Sequence, residues 1–416
     1  MTHKLDLFNS TIEQICWLLV EWLGLFYSMT TMDEQIKIIL ERRVDEVIDR
    51  EQLEGRLKNG DKLRVKLGID PTSPNIHLGR AVPLWKLREF QDLGHQVVFI
   101  VGDFTGLIGD TSDKESERPM LSEEEVEKNK QTYFEQAFKI LDKNKTEIKY
   151  NAEWLRPLGY LDICKQADLF GLHEFSSREL IKRRLEAGKR VSLRELLYPL
   201  MQGYDSVAVR ADVEVGGTDQ RFNLLAGRTI QPMYGQKPQN IVICKFPLLG
   251  TDGRKMSSSW GNVINITEEP NEMFGKVMSI PDNLMPQYFE LATRLPEKEI
   301  QEILKDSSPR DAKARLAREI VELYHGPAPS AAAVEQFDTV FSQGQIPENM
   351  PVFTGADSEL IDFLTKHNLA DSRSEAKRLI EQKGVKINSE TASSWETKLK
   401  AGDVIKLGSH RFVRVN

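Results

Sequence analysis

The sequence predicts an α/β protein: a doubly wound parallel Rossmann-type sheet with a helical insertion, then an α-helical domain and a small C-terminal α+β domain. Three observations carry that expectation. Residues 63–67 read as a buried strand, 81–93 as a helix closed by Gly94, and 96–101 (QVVFIV) as a second buried strand, which together make a βαβ unit. Apolar runs at 213–215 and 240–244 supply further strands, with helical sequence between them. At 416 residues the chain is too long for one simple core, so two or three domains are expected.

In order along the chain, residues 1–31 form an extension with no assignable role. Its run at 15–27 (ICWLLVEWLGLFY) is too short to span a bilayer and contains Glu21. Amphipathic helix begins near Met32, and the Rossmann-type domain covers 32–262. Within it, 123–190 reads as a mostly helical insertion that interrupts the sheet, and 250–261 as a mobile loop. Residues 263–342 are helical throughout; one helix is framed by Ser308-Pro309 and Gly326. Residues 343–356 (within QGQIPENMPVFTGA) form a linker, and 357–416 restart with helices and end in strands at 403–407 and 411–415.

The composition, 40% apolar and 29% charged, is that of a soluble protein, and no membrane association is expected. A net charge of −7 argues against a protein that coats nucleic acid over its whole surface, but permits a local basic patch. Cys16, Cys164 and Cys244 are widely spaced with no metal-ligand pairing, which fits a reducing, cytoplasmic compartment and no tightly bound metal.

Two short strings carry the chemistry: His77-Leu78-Gly79-Arg80 after Gly68-Ile69-Asp70-Pro71-Thr72, and Lys255-Met256-Ser257-Ser258-Ser259 after a glycine-rich turn. A helix start with a His and a Gly holds polyphosphate near backbone N–H groups, and a basic loop can close over it. Together they point to a nucleoside triphosphate. Asp110, at the end of Thr105-Gly106-Leu107-Ile108-Gly109, is placed to receive an ammonium group; Lys114 and Arg118 follow with reach to phosphate. Ser192-Leu193-Arg194-Glu195 is a capping box opening a helix on which Tyr198, Gln202 and Asp205 share one face. Such a face is either an internal hydrogen-bond cluster or a reader of the polar ends of a small amino acid. Glu214-Val215-Gly216-Gly217-Thr218-Asp219-Gln220 ends another strand in a form suited to a ribose or ligand backbone. In the tail, Arg373, Lys377, Arg378 and Lys383 gather positive charge suited to RNA.

GIDPTSPNIHLGR, FTGLIGDTSDKESER, LLYPLMQGYDS, VGGTDQ and KMSSS, in that order within residues 32–416, resemble the bacterial tyrosyl-tRNA synthetases, which are class I aminoacyl-tRNA ligases. The tail resembles the RNA-binding fold first named from a small-subunit ribosomal protein. The resemblance implies ATP with Mg2+, L-tyrosine and tRNA(Tyr) as substrates, and a homodimer. It implies that His77 and Gly79, with Asp70, Thr72, Gly217, Asp219, Lys255, Ser257 and Ser258, bind ATP. Asp110, Tyr198 and Gln202 would hold the tyrosine ammonium and Asp205 its phenol, with Gln220 in a substrate-contacting loop. Lys66 takes a place where several relatives read the phenol with a tyrosine. Thr72, Lys114 and Arg118 would join His77 and Lys255 in the catalytic set. Arg80 replaces the second His of HIGH, and Ser258 the second Lys of KMSKS, so Arg80 is expected to restore part of the missing charge. Three other readings remain at this point: a tryptophan–tRNA ligase, which shares the fold and phosphate motifs, a non-catalytic RNA-binding relative, and a small-molecule adenylyltransferase, which would not need the helical and basic domains after Gly261.

Overall fold

The computed structural model describes residues 31–110, 120–245, 247–341, 350–367, 369–370, 372–408 and 411–416. Lys114, Arg118, Cys16 and the apolar run at 15–27 lie outside the described residues. The chain divides into two compact units, residues 1–74 with 82–246, and residues 75–81 with 247–416.

The first unit is built on a six-stranded sheet: β1 Val44–Ile48, β2 Arg64–Ile69, β3 Gln96–Val101, β4 Thr146–Tyr150, β5 Val213–Gly217 and β6 Asn240–Cys244. Their order across the sheet is β1-β6-β5-β2-β3-β4. Neighbours from β6 to β4 are parallel, and β1 alone runs antiparallel, against β6. The expected α/β sheet is therefore present but mixed at one edge. β3 and β6 are nearly continuous runs of buried Val, Ile and Phe, as strands covered on both faces must be, while β2 and β5 also bury Lys66 and Glu214. The helix predicted at 81–93 spans Leu78–Asp92, and Gly94 follows with φ 86°, a left-handed conformation that suits glycine.

Two strands depart from the sequence expectation. Residues 146–150 (TEIKY), expected within a helical insertion, pair with β3 and extend the sheet instead of interrupting it. Residues 44–48 (VDEVI) form the opposite edge. Both are edge strands with partly exposed polar side chains, so neither shows the apolar run of a central strand.

In the second unit, helices Pro270–Met278, Met285–Ala292, Glu297–Asp306, Pro309–His325 and Pro327–Phe341 follow one another. The capped helix is as predicted: the Ser308 side chain accepts from the Asp311 N–H, and Gly326 ends it with φ 86°. The C-terminal portion forms a second sheet of β7 Val352–Phe353, β8 Val385–Ile387, β9 Glu390–Thr391, β10 Val404–Leu407 and β11 Arg411–Val415, ordered β7-β11-β10-β8-β9. Helices Leu360–Lys366 and Arg373–Glu381 share its core, in which Leu360, Phe363, Leu364, Ala376, Val385, Leu399 and Ile405 are buried. Val352 and Phe353, expected in a linker, pair in parallel with β11.

Candidate active site

Helix Leu193–Ala208 carries Tyr198, Gln202 and Asp205. Ser192 accepts from the Arg194 N–H, and the Glu195 carboxylate reaches back to the Ser192 N–H at 2.9 Å, closing the predicted capping box. Glu195 is also buried against Arg184 (2.5 Å), so the start of the helix is anchored. At Gly203 the helix crosses helix Arg221–Ile230. A Cβ there would lie 2.8 Å from Ile230 Cδ1 and 3.1 Å from the Ala226 carbonyl carbon, so only glycine permits this approach.

Tyr198 and Asp205 join a polar network beyond the carboxyl ends of β2, β3 and β4, while Gln202 Nε2 donates to Glu214 Oε1 within β5 (3.2 Å). The Tyr198 hydroxyl donates to Asp70 Oδ2 (2.8 Å), and Thr105 Oγ1 donates to Asp70 Oδ1 (2.7 Å). Gly102 leaves room for that pair, because a Cβ would come within 2.2 Å of both oxygens. Burial raises the Tyr198 pKa well above the usual phenol value, and the charges of Asp70 and Asp110 add to this. Tyr198 is therefore a neutral donor. Asp110 accepts from Gln220 Nε2 (2.7 Å), which is itself held by Asn223 (3.0 Å).

Asp205 is buried and accepts from Trp154 Nε1 (2.8 Å) and Asn151 Nδ2 (3.2 Å). Burial pushes its carboxyl up to about 7, opposed by the Lys66 charge and by the two hydrogen bonds, while Glu214 pushes further upward. Asn151 also donates to Thr105 Oγ1 (2.8 Å) and accepts from the Phe104 N–H (3.0 Å), joining Asp205 to Asp70 through Thr105. Asn151 and Trp154 carry no motif that singles them out in the sequence. They stand just beyond the carboxyl end of β4, so the signal for them is the strand itself.

Lys66, expected to face the phenol, has no exposed side-chain surface. Its ammonium meets Glu214 Oε1 (2.9 Å), Ser206 Oγ (2.8 Å) and the Gln202 carbonyl (3.0 Å). Gly217 is buried at the end of β5, and Asp219 is half-buried in the turn Thr218–Gln220 that follows. Thr72 is half-buried just past β2, its N–H bonded to the Asp70 carbonyl (2.8 Å).

The second unit holds His77, Gly79, Arg80 and the loop carrying Lys255. His77 is buried and forms a bridge with Asn265, flanked by the bonds Leu78 N–H to Ile264 carbonyl (2.9 Å) and Ile266 N–H to Ile76 carbonyl (3.0 Å). Its Nδ1 accepts from the Arg80 N–H (3.4 Å), which leaves Nε2 to carry the ring proton. Burial, then the charges of Arg80 and Lys255, lower the imidazole to about 3. His77 is thus a neutral N–H donor beside two cations. A Cβ at Gly79 would press on the His77 ring at 3.2 Å, which explains glycine at that position.

The loop carrying Lys255 is ordered by Asn262, a residue with no sequence signal of its own. Asn262 Nδ2 donates to Asp252 Oδ1 (2.7 Å) and the Lys255 carbonyl (3.1 Å), and Asn262 Oδ1 accepts from the Ser257 N–H (2.9 Å). Gly253 and Gly261 turn the chain with φ 78° and 68°. Lys255 and Ser257 are half-buried and Ser258 is exposed.

Comparison with known proteins decides the family. A profile described as tRNA synthetases class I (W and Y) matches residues 58–342, and an S4 domain profile matches residues 360–405. The chain belongs to the class I tRNA synthetases of the W and Y group. Within this family, the tyrosine–tRNA ligase of Dehalococcoides mccartyi is 48% identical over 393 residues, covering 92% of this chain and 99% of that protein. The tyrosine–tRNA ligase of Thermotoga maritima is 46% identical over 396 residues, with 93% and 98% covered. Among solved structures, a C-terminally truncated mitochondrial tyrosyl-tRNA synthetase of Aspergillus nidulans has a TM-score of 0.62 at 23% identity, covering 74% of this chain and 99% of that one. The Archaeoglobus fulgidus tyrosyl-tRNA synthetase complexed with L-tyrosine gives 0.58 at 22%, covering 73% and 100%. Both carry this synthetase fold.

The S4 portion of the synthetase presents Arg373, Lys377, Arg378 and Lys383 as exposed residues. Arg373 pairs with Asp362 and Arg378 with Glu375 (3.5 Å), while the Lys377 ammonium lies 4.1 Å from the Trp395 ring centroid. Among the described residues, no group of three or more His, Cys, Asp or Glu side chains could hold a metal ion, and no helix is long and apolar enough to cross a membrane.

Proposed function

We propose that the chain is a cytoplasmic tyrosine–tRNA ligase that converts L-tyrosine and Mg-ATP to tyrosyl-adenylate and pyrophosphate, then transfers the tyrosyl group to a terminal ribose hydroxyl of tRNA(Tyr). One observation carries the reading: a buried carboxylate, Asp205, is held by Trp154 and Asn151 on the same helix face as Tyr198 and Gln202. A buried acceptor of that kind suits a phenol hydroxyl, and a ring lacking the hydroxyl would leave the acceptor under-satisfied. The names of the relatives at 46–48% identity support the same amino acid.

In this reading Asp110, Tyr198, Gln202 and Gln220 orient the α-ammonium, and Asp70, Thr72, Gly79, Gly217 and Asp219 orient ATP. The tyrosine carboxylate attacks the α-phosphate, and pyrophosphate leaves with both electrons of the broken P–O bond. Catalysis is positioning together with charge stabilisation in the transition state. His77 contributes its Nε2–H without gaining a proton, Lys255 and Arg80 contribute cations, and Ser257 and Ser258 contribute hydroxyls. Lys114 and Arg118 are assigned to the pyrophosphate from their motif alone. The Mg2+ arrives on ATP as part of the substrate. Arg373, Lys377, Arg378 and Lys383 contact tRNA. A homodimer is supported by exposed apolar side chains: Tyr160, Leu161, Leu172 and Leu193 are 67–82% exposed, with Leu197 beside them in sequence on the substrate helix.

Aminoacylation with pure tRNA(Tyr) tests the full reaction. Tyrosine attached to the tRNA in an ATP-dependent manner is the expected result. No charging, or charging with tryptophan on its own tRNA, would contradict it.

A further inference from the structure

The buried pair Lys66–Glu214 has no role in the chemistry described so far. Both side chains are fully buried, one on β2 and the other on β5. Two charges removed from water are costly unless every lone pair and proton finds a partner, so such a pair needs a reason beyond stability. Here the partners are specific. The Lys66 ammonium binds the Gln202 carbonyl (3.0 Å) and Ser206 Oγ (2.8 Å), which flank Asp205 on helix Leu193–Ala208. Glu214 accepts from Gln202 Nε2 (3.2 Å), Ser206 Oγ (2.9 Å) and Gln239 Nε2. One ion pair therefore grips both the backbone and the side chain of Gln202, and lies under the turn that carries Asp205.

We propose that Lys66 and Glu214 are positioning residues for amino-acid selection: the pair fixes Gln202 and sets the charge balance under Asp205. This deepens the tyrosine reading and rests on it for the identity of the amino acid. The two charges act on Asp205 in opposite senses, Lys66 favouring the carboxylate and Glu214 the acid. The other groups around this corner are Trp154 and Asn151, which donate to Asp205, and Tyr198 with its neighbours Asp70 and Asp110. Lys66 is thus the cation that acts on Asp205 and Glu214, while Arg178 is the cation facing Asp110. A lysine that merely filled space would be as well served by methionine.

Trp154 supplies a readout that does not depend on catalysis, because its indole N–H donates directly to Asp205 (2.8 Å). The pH dependence of tryptophan emission, taken as the difference between the full chain and its Trp154→Phe variant, reports Asp205 protonation. The midpoint is expected to rise by at least half a pH unit in Lys66→Met and to fall in Glu214→Gln. The KM for tyrosine in pyrophosphate exchange should rise about tenfold in Lys66→Met, with kcat changed less than threefold. Should either single variant fail to fold, Lys66→Met/Glu214→Gln removes both charges together. Replacing a buried pair as a unit often leaves stability near its starting value. In that variant the expected shift is upward and the rise in KM remains. Unmoved midpoints and an unmoved KM in the folded variants would overturn the proposal, as would shifts of the same sign in both single variants. Midpoints that move while tyrosine fails to stimulate exchange would uphold the pair's control of Asp205 and remove the tyrosine reading instead.

Discussion

At the scale of single residues, Asp205 and His77 show how burial sets chemistry. Asp205 must be ionised to accept from a phenol, and burial holds its carboxyl near 7. Tyrosine-dependent kcat/KM should therefore fall as pH drops below about 7, whereas the residual phenylalanine reaction lacks that limb; a pH series of pyrophosphate exchange measures both. The stability effect has a definite sign. The folded Asp205 binds its proton more tightly than the unfolded chain, so its contribution is full below about 3.8 and is lost as pH rises through about 7. His77 runs the other way: its neutral form contributes fully above 6.5, and that contribution is lost as pH falls through about 3. In Asp205→Ala, the loss of a hydrogen bond to a charged group should lower tyrosine-over-phenylalanine selectivity about 10- to 100-fold. Selectivity equal to the parent's would refute the role. Arg80→Ala should slow adenylate formation about tenfold, the size expected when one cation near phosphate is removed. A faster rate in Arg80→His would show that Arg80 does not replace the charge missing at Ser258.

At the scale of elements, helix Leu193–Ala208 is the part on which the site depends most. Its approach to helix Arg221–Ile230 is possible because Gly203 has no side chain, so Gly203→Ala should destabilise the fold by about 1–3 kcal/mol, read by denaturant unfolding. This helix is legible in the sequence because its signals are local: a capping box, then polar residues at i, i+4 and i+7. The same holds for His77 and Lys255, whose strings are contiguous. What stays hidden depends on pairing between distant segments. β4 (TEIKY) has a single aliphatic residue and is only partly covered, so it does not stand out, and Asn151 and Trp154 are hidden with it. Asn262 is an ordinary asparagine until the loop folds back and brings Asp252, Lys255 and Ser257 to its amide. Lys66 differs: the resemblance implies a place beside the phenol, whereas its ammonium is buried against Glu214, Ser206 and the Gln202 carbonyl.

At the scale of the whole molecule, Tyr198, Gln202 and Asp205 belong to the first unit, and His77, Lys255 and the S4 portion to the second. The separate matches to the synthetase region, residues 58–342, and to the S4 portion, residues 360–405, predict separable defects. Lys377→Glu with Lys383→Glu should weaken tRNA charging and flatten its salt dependence by about one unit of slope for each phosphate no longer neutralised, with pyrophosphate exchange unchanged. Equal impairment in both assays would contradict the division. The central claim is that the buried face bearing Tyr198, Gln202 and Asp205 selects tyrosine for activation by ATP. ATP–pyrophosphate exchange by the unaltered chain, with tyrosine, tryptophan or phenylalanine added singly, measures this most directly. Exchange strongly stimulated by tyrosine, and far less by the other two, is the predicted result. Exchange driven by tryptophan, or by none of the three, would contradict it.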